Sequence, residues 1–210
     1  MSGIENYLGF LLAGIIMNAT PGVDSIYIIT RSIAQGKKAG VYSVLGIGSG
    51  SLVHIGLAAF GLSVILAKSV MLFNVIKWAG AAYLIYLGIG MFFDKSNLFD
   101  GENSGFKKVD LWGIYRQGFL TNLLNPKITL FFMAFMPQFI KAEYVTSPIP
   151  FLVLGGSFLF TGTVWCLSLS YFASFMTNTL RKNERIGKIM QNVSGFVFIG
   201  LGLQILFKKN

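Results

Sequence analysis

Two prolines interrupt apolar segments long enough to cross a bilayer, and this constrains the fold more than any other feature of the chain. The first lies in GIIMNATPGVD, residues 14–24, and the second in GFLTNLLNPK, residues 118–127. In both, a Gly is followed four residues on by Asn, and the Pro comes three or four residues later. Proline has no N–H and collides with the carbonyl four residues back, so each helix is expected to break there. Broken backbone is tolerated in lipid only where protein buries it or where it lines a wet cavity. Two such breaks in corresponding halves of a chain point to a transporter's binding site between them.

The composition agrees with a membrane location. Of 210 residues, 54% are hydrophobic and only 12% charged, and the mean hydropathy is +0.66. Soluble domains carry about twice that charged fraction. A net charge of +9 would raise nucleic acid as a partner in a soluble protein. Here most Lys and Arg flank apolar spans, which fits an orienting role and argues against nucleic acid. The single cysteine, Cys166, excludes an intrachain disulfide or a two-cysteine relay. No Lys or Arg precedes Arg31, so there is no signal-peptide n-region and the first apolar segment is expected to remain as a transmembrane helix.

About twenty apolar residues span a bilayer core. Six segments qualify, roughly 6–30, 40–66, 70–93, 116–140, 148–176 and 189–207. The linkers between spans 1 and 2, 3 and 4, and 5 and 6 hold eleven of the basic residues, among them Arg31, Lys37, Lys38 and Arg116. The opposite side holds five. The positive-inside rule therefore predicts those three linkers in the cytoplasm and both termini outside. Trp78 and Trp112 fall near span ends, where interfacial tryptophan is expected.

Three spans per half force the halves into opposite orientations. The break motifs open spans 1 and 4, and GAAYLIYLGIG (80–90) in span 3 matches GFVFIGLGLQI (195–205) in span 6 in its glycine spacing. The expected fold is an all-α membrane protein of six transmembrane helices arranged as two inverted three-helix repeats, with helices 1 and 4 broken. It is one transporter domain over 1–210, with repeat one about 1–93, a cytoplasmic linker about 94–115 and repeat two about 116–210.

Asp24 is the only carboxylate inside a span. Intramembrane charges are costly, by at least about 2.5 kcal/mol at mid-bilayer, and face a cavity or a partner. Asp24 is thus a candidate ligand for a substrate ammonium group or a proton carrier, or else the acidic cap of a helix restarting after Pro21 and Gly22. Lys127, directly after Pro126, is a candidate for holding a substrate carboxylate, with snorkelling to an interface as the alternative. Asn18, Asn122 and Asn125 either satisfy carbonyls freed beside Pro21 and Pro126 or reach substrate. The restarted helix ends should attract anions. His54, the only histidine, is either a proton relay or a neutral core residue bonded to a neighbouring helix. No His/Cys spacing suggests a metal site, and no cofactor motif is present. Gly46, Gly48 and Gly50 lack the strand context of a nucleotide loop and are expected to let span 2 pack closely on span 1 or 4. Tyr27, Phe131 and Phe135 follow the breaks and are candidates for walling a cavity.

These motifs resemble the LysE/RhtB family of bacterial amino-acid exporters. The resemblance rests on PGVDSIYIITRSIAQGKKAGVYSVLGIGSGSLVH (21–54) and GFLTNLLNPKITLFFMAFMPQF (118–139), and it extends over essentially the whole chain. The family typically has Pro-Gly-Pro-Asp at the first motif; here Val23 stands at the second proline, which leaves one break proline at this turn. The resemblance implies secondary export of amino acids through the bacterial cytoplasmic membrane, driven by proton exchange and without ATP. It is compatible with a homodimer. One intramembrane acid facing one base disfavours a strongly cationic substrate, so the expected substrates are small neutral amino acids such as threonine, homoserine or leucine. An exporter of inorganic cations or of other small metabolites is the alternative. Lys127 and the scarcity of ligands make a poor cation site.

Overall fold

The computed structural model describes residues 3–62, 70–93 and 110–175, with isolated positions between 192 and 207. The sixth expected span, and with it half of the repeat comparison, lies largely outside the described residues. The described elements are helical, and the only extended pairing among them is one antiparallel bridge between Ile4 and Ile140.

Helix α1 (Tyr7–Ala19) starts under an Asn6 side-chain cap on the Gly9 N–H and ends one residue before Thr20. After Pro21 and Gly22 the chain restarts as α2 (Val23–Gly56), which continues as a π-helical turn over Leu57–Leu62. Helix α3 covers Val70–Phe93. Helix α4 (Leu111–Leu123) stops three residues before Pro126, and α5 (Pro126–Leu130) restarts there, running on through a π segment, Phe131–Phe135, and a 3-10 turn, Met136–Phe139. A short 3-10 turn, Ala142–Tyr144, leads into α6 (Pro148–Phe175). Both expected breaks are therefore present, and the second bends its helix pair by 46°. Val23–Gly61, taken as one helix through a turn at Gly36, and Pro148–Ala173 are long and apolar enough to cross a bilayer, and the bent pair Leu111–Leu123 with Pro126–Phe139 makes a third such segment.

Helix α2 is not one rod. Gly36 sits at φ 83°, ψ −179°, a conformation open essentially to glycine alone. It divides α2 into an arm 23–35 and an arm 37–56 that fold back on each other. Ser32 meets Gly40 near the tip, and Ile28, Val44 and Ile47 pack together further down. The second arm lies against α4 with almost no side chain between them. A Cβ on Gly46 would strike the Tyr115 carbonyl, and one on Gly50 would strike Asn122. That is the close glycine packing expected of span 2, and its partner is span 4. In lipid such contact supplies dispersion and lets polar groups meet across helices.

The main core is aromatic. Phe131 stacks on Phe158 of α6 at 4.6 Å between centroids, and Phe10 meets Phe139 edge-on at 5.4 Å. Phe131 and Phe135 are each 1% exposed and belong to this cluster. They fill the core and do not wall the cavity described below: Phe131 packs against Phe10 and Phe158, and Phe135 against Phe131 and Phe139. Tyr27 is likewise tied elsewhere, donating its hydroxyl to the Ile114 carbonyl at 2.7 Å.

Candidate functional site

Each break leaves carbonyls without their usual N–H donor, and each is completed by a residue from the other motif's surroundings. At the first break, Lys127 Nζ donates to the Thr20 carbonyl at 2.7 Å. Lys127 is 8% exposed, so it is a core group and not a snorkelling one. At the second break, the carbonyl that Pro126 cannot serve is that of Asn122, four residues back. It accepts from His54 Nε2 at 3.1 Å and from the Asn125 N–H at 3.0 Å. His54 stacks on Phe132, with centroids 6.0 Å apart. The carbonyl fixes the proton on Nε2 when the ring is neutral.

Asn122 is 1% exposed and is committed at both ends of its amide. Nδ2 donates to Asp24 Oδ2 at 2.7 Å, and Oδ1 accepts from Ser51 Oγ at 3.2 Å. The arms of α2 are thereby joined through α4. Asp24 has its second oxygen, Oδ1, buried without a hydrogen bond. Asn125 caps the restarted helix by accepting the Lys127 N–H on Oδ1 at 3.0 Å, and its Nδ2 is also buried without a hydrogen bond. This cap takes up one donor of the helix start at Pro126. By contrast, Gly22 gives the start of α2 no side-chain cap. A Cβ at Gly22 would make only ordinary contact with Lys127, 3.5 Å from its Nζ.

Asn18 does not serve its own break. Its Nδ2 reaches α6, to the Phe158 carbonyl at 3.3 Å and Thr161 Oγ1 at 3.2 Å. Gly162 makes space for that amide. Asn18, Asp24, Asn122 and Lys127 line one cavity of about 40 Å³ together with Ser51, Thr163 and Cys166. Its apolar wall is Val44, Ile47, Ile128, Phe158 and Leu159. The volume holds a few waters and not an amino acid, so this conformer is closed around its polar centre. The contribution of α6 was missed in the sequence: Thr163 and Cys166 looked like ordinary residues of an apolar span, and the only available signal was the Gly, Ser and Thr content of span 5. Among the described residues no three His, Cys, Asp or Glu side chains are grouped to hold a metal ion.

The model of the LysE type translocator family matches residues 15–209, so it takes in both breaks and every cavity residue. The chain belongs to this family. Similar proteins include the membrane protein YrhP of Bacillus subtilis (strain 168), 33% identical with 96% of this chain and 98% of YrhP covered. The leucine efflux protein of Klebsiella pneumoniae subsp. pneumoniae is 27% identical, over 97% of this chain and 95% of that protein. That of Salmonella typhimurium is 24% identical over the same shares. No solved structure matches the chain. As a LysE type translocator it is a multi-pass membrane protein.

Proposed function

We propose that this translocator exports small neutral amino acids from the cytoplasm in exchange for protons, and that leucine-like side chains suit it best. The observation that carries the reading is the bare, buried Oδ1 of Asp24 in a cavity shared with Lys127. A zwitterion offers an ammonium group for the first and a carboxylate for the second. The aliphatic wall of Val44, Ile47, Ile128 and Leu159 would face the substrate side chain. Leucine is also what the similar Klebsiella and Salmonella proteins are named for.

In this mechanism the closed conformer opens to the cytoplasm and water gives way to substrate. The carboxylate draws on the Lys127 ammonium group, and the substrate ammonium takes Asp24 Oδ1. Because Asn122 Nδ2 already occupies Oδ2, an arriving proton competes with the substrate ammonium for the same oxygen. Protonation from the outer side then releases the amino acid. His54, held on the Asn122 carbonyl, acts here as the completing donor of the second break, and Asp24 is the coupling group. Six spans in two inverted repeats, with the basic linkers cytoplasmic and both termini outside, supply the rocking halves. In support, the N-terminal segment pairs with residues 139–141 at one end of the molecule, consistent with both lying on the same side.

The test is counterflow of leucine, threonine and homoserine in proteoliposomes, with Asp24→Asn and Lys127→Ala as variants. Both variants should slow exchange at least tenfold, and the residual exchange of Asp24→Asn should no longer respond to a pH gradient. Exchange at the parent rate in both variants, at equal protein per vesicle, would overturn the assignment. Flux of an inorganic cation without amino-acid flux would favour the alternative cargo.

A further inference from the structure

A second, larger concavity shares no lining residue with the polar centre. It is an open groove of about 390 Å³ between the start of the second arm of α2 and the last turns of α6. Lys37 and Val41, one turn apart, form one wall, and Leu167, Tyr171 and Phe172 form the other. The floor is rigid: Ser170 is 2% exposed, is hydrogen-bonded to Ser32 at 3.1 Å, and packs against Gly40. The groove is chemically graded along the helix axes. At the tip end, beside Gly36, the Lys37 ammonium lies 4.2 Å from the centre of the Tyr171 ring. One turn further along, the walls are the exposed apolar side chains of Val41 and Leu167.

We infer that this groove binds an anionic phospholipid. Its phosphate would lie against Lys37 and Tyr171, and an acyl chain would run along Val41 and Leu167. A small inorganic anion has no use for the apolar length of the groove, and an apolar helix from another protein has no use for a lysine at its end. A molecule with an anionic head and a hydrocarbon tail matches both. Lysine and tyrosine at a span end sit at the level where lipid heads lie, and basic pockets between transmembrane helices recognise such heads. Lys38, exposed beside Lys37, adds to the local field without lining the groove.

The test is native mass spectrometry of the full chain in detergent, titrated with phosphatidylglycerol or phosphatidylcholine. The parent should retain bound phosphatidylglycerol and not phosphatidylcholine. Lys37→Gln should weaken the adduct about fivefold, the loss expected of one basic residue at an anionic surface. Val41→Trp, which fills the groove, should abolish it, while Lys38→Gln, at a residue that lines no part of the groove, should weaken it less than Lys37→Gln does. The proposal is overturned if the two lipids bind equally, if Lys37→Gln binds like the parent, or if equimolar inorganic phosphate displaces phosphatidylglycerol. It is also overturned if a lipid-free dimer forms that Val41→Trp splits, which would make a second copy the occupant.

Discussion

Replacing Asn122 by leucine keeps the side chain's bulk and removes both of its hydrogen bonds. The larger loss is the Nδ2 donor to Asp24 Oδ2, 2.7 Å away and buried. A hydrogen bond to a charged partner contributes about 1.5–3 kcal/mol. If it orients the carboxylate for substrate, its loss should slow exchange about 10- to 150-fold. Ser51→Ala removes only the neutral bond at the amide's other end, at 3.2 Å, and should cost at most about tenfold. The His54 bond goes to the Asn122 backbone, so it survives both changes. The assay is leucine counterflow into proteoliposomes of equal protein content, with Asp24→Asn and the double variant completing a cycle. If Asn122 acts through Asp24, the double variant should be no worse than Asp24→Asn alone. Parent-like exchange by Asn122→Leu, or losses that simply add, would refute this reasoning.

Two further outcomes follow from the breaks and the hairpin. His54→Gln keeps a donor for the Asn122 carbonyl and should retain most exchange with an unchanged pH profile; a flattened profile would move proton coupling from Asp24 to His54. Gly36→Ala meets no atom within 4 Å, so its only effect is backbone strain at φ 83°. It should destabilise the protein by about 1–3 kcal/mol, read as a lowered melting temperature in detergent, and an unchanged melting temperature would show that the tip relaxes freely.

The breaks were legible because proline's missing donor is a local, covalent fact that no tertiary contact can undo. Asp24 and Lys127 were legible because charges in lipid are rare and must be answered by something nearby. The hairpin tip was read only as a basic loop, because Gln35-Gly36-Lys37 gives no sign of how abruptly the backbone turns. The wall from α6 was illegible for a reason peculiar to membranes. Lipid-facing and protein-facing positions are both apolar there, so Phe158 and Leu159 look no different from the exposed Phe160. Asn18 and Asn125 were recognised as important, but their partners were not. Asn18 crosses to a helix some 140 residues away in sequence, and Asn125 serves the helix it begins. Phe131 and Phe135 were expected at a cavity wall and lie in the aromatic core, where side chains of the same type are found.

The reciprocal capping of the two breaks carries a cost for the empty carrier. Parting Lys127 from Thr20 strands one polar oxygen in a poorly hydrated interior, at about 1–3 kcal/mol, while parting His54 from Asn122 leaves that carbonyl with the Asn125 N–H alone. An amino acid that brings its own ammonium group can make good part of that loss, whereas an unloaded molecule has nothing to offer. On the proposed exchange mechanism, idle cycling and the proton leak that would accompany it are thus held down by ordinary backbone chemistry.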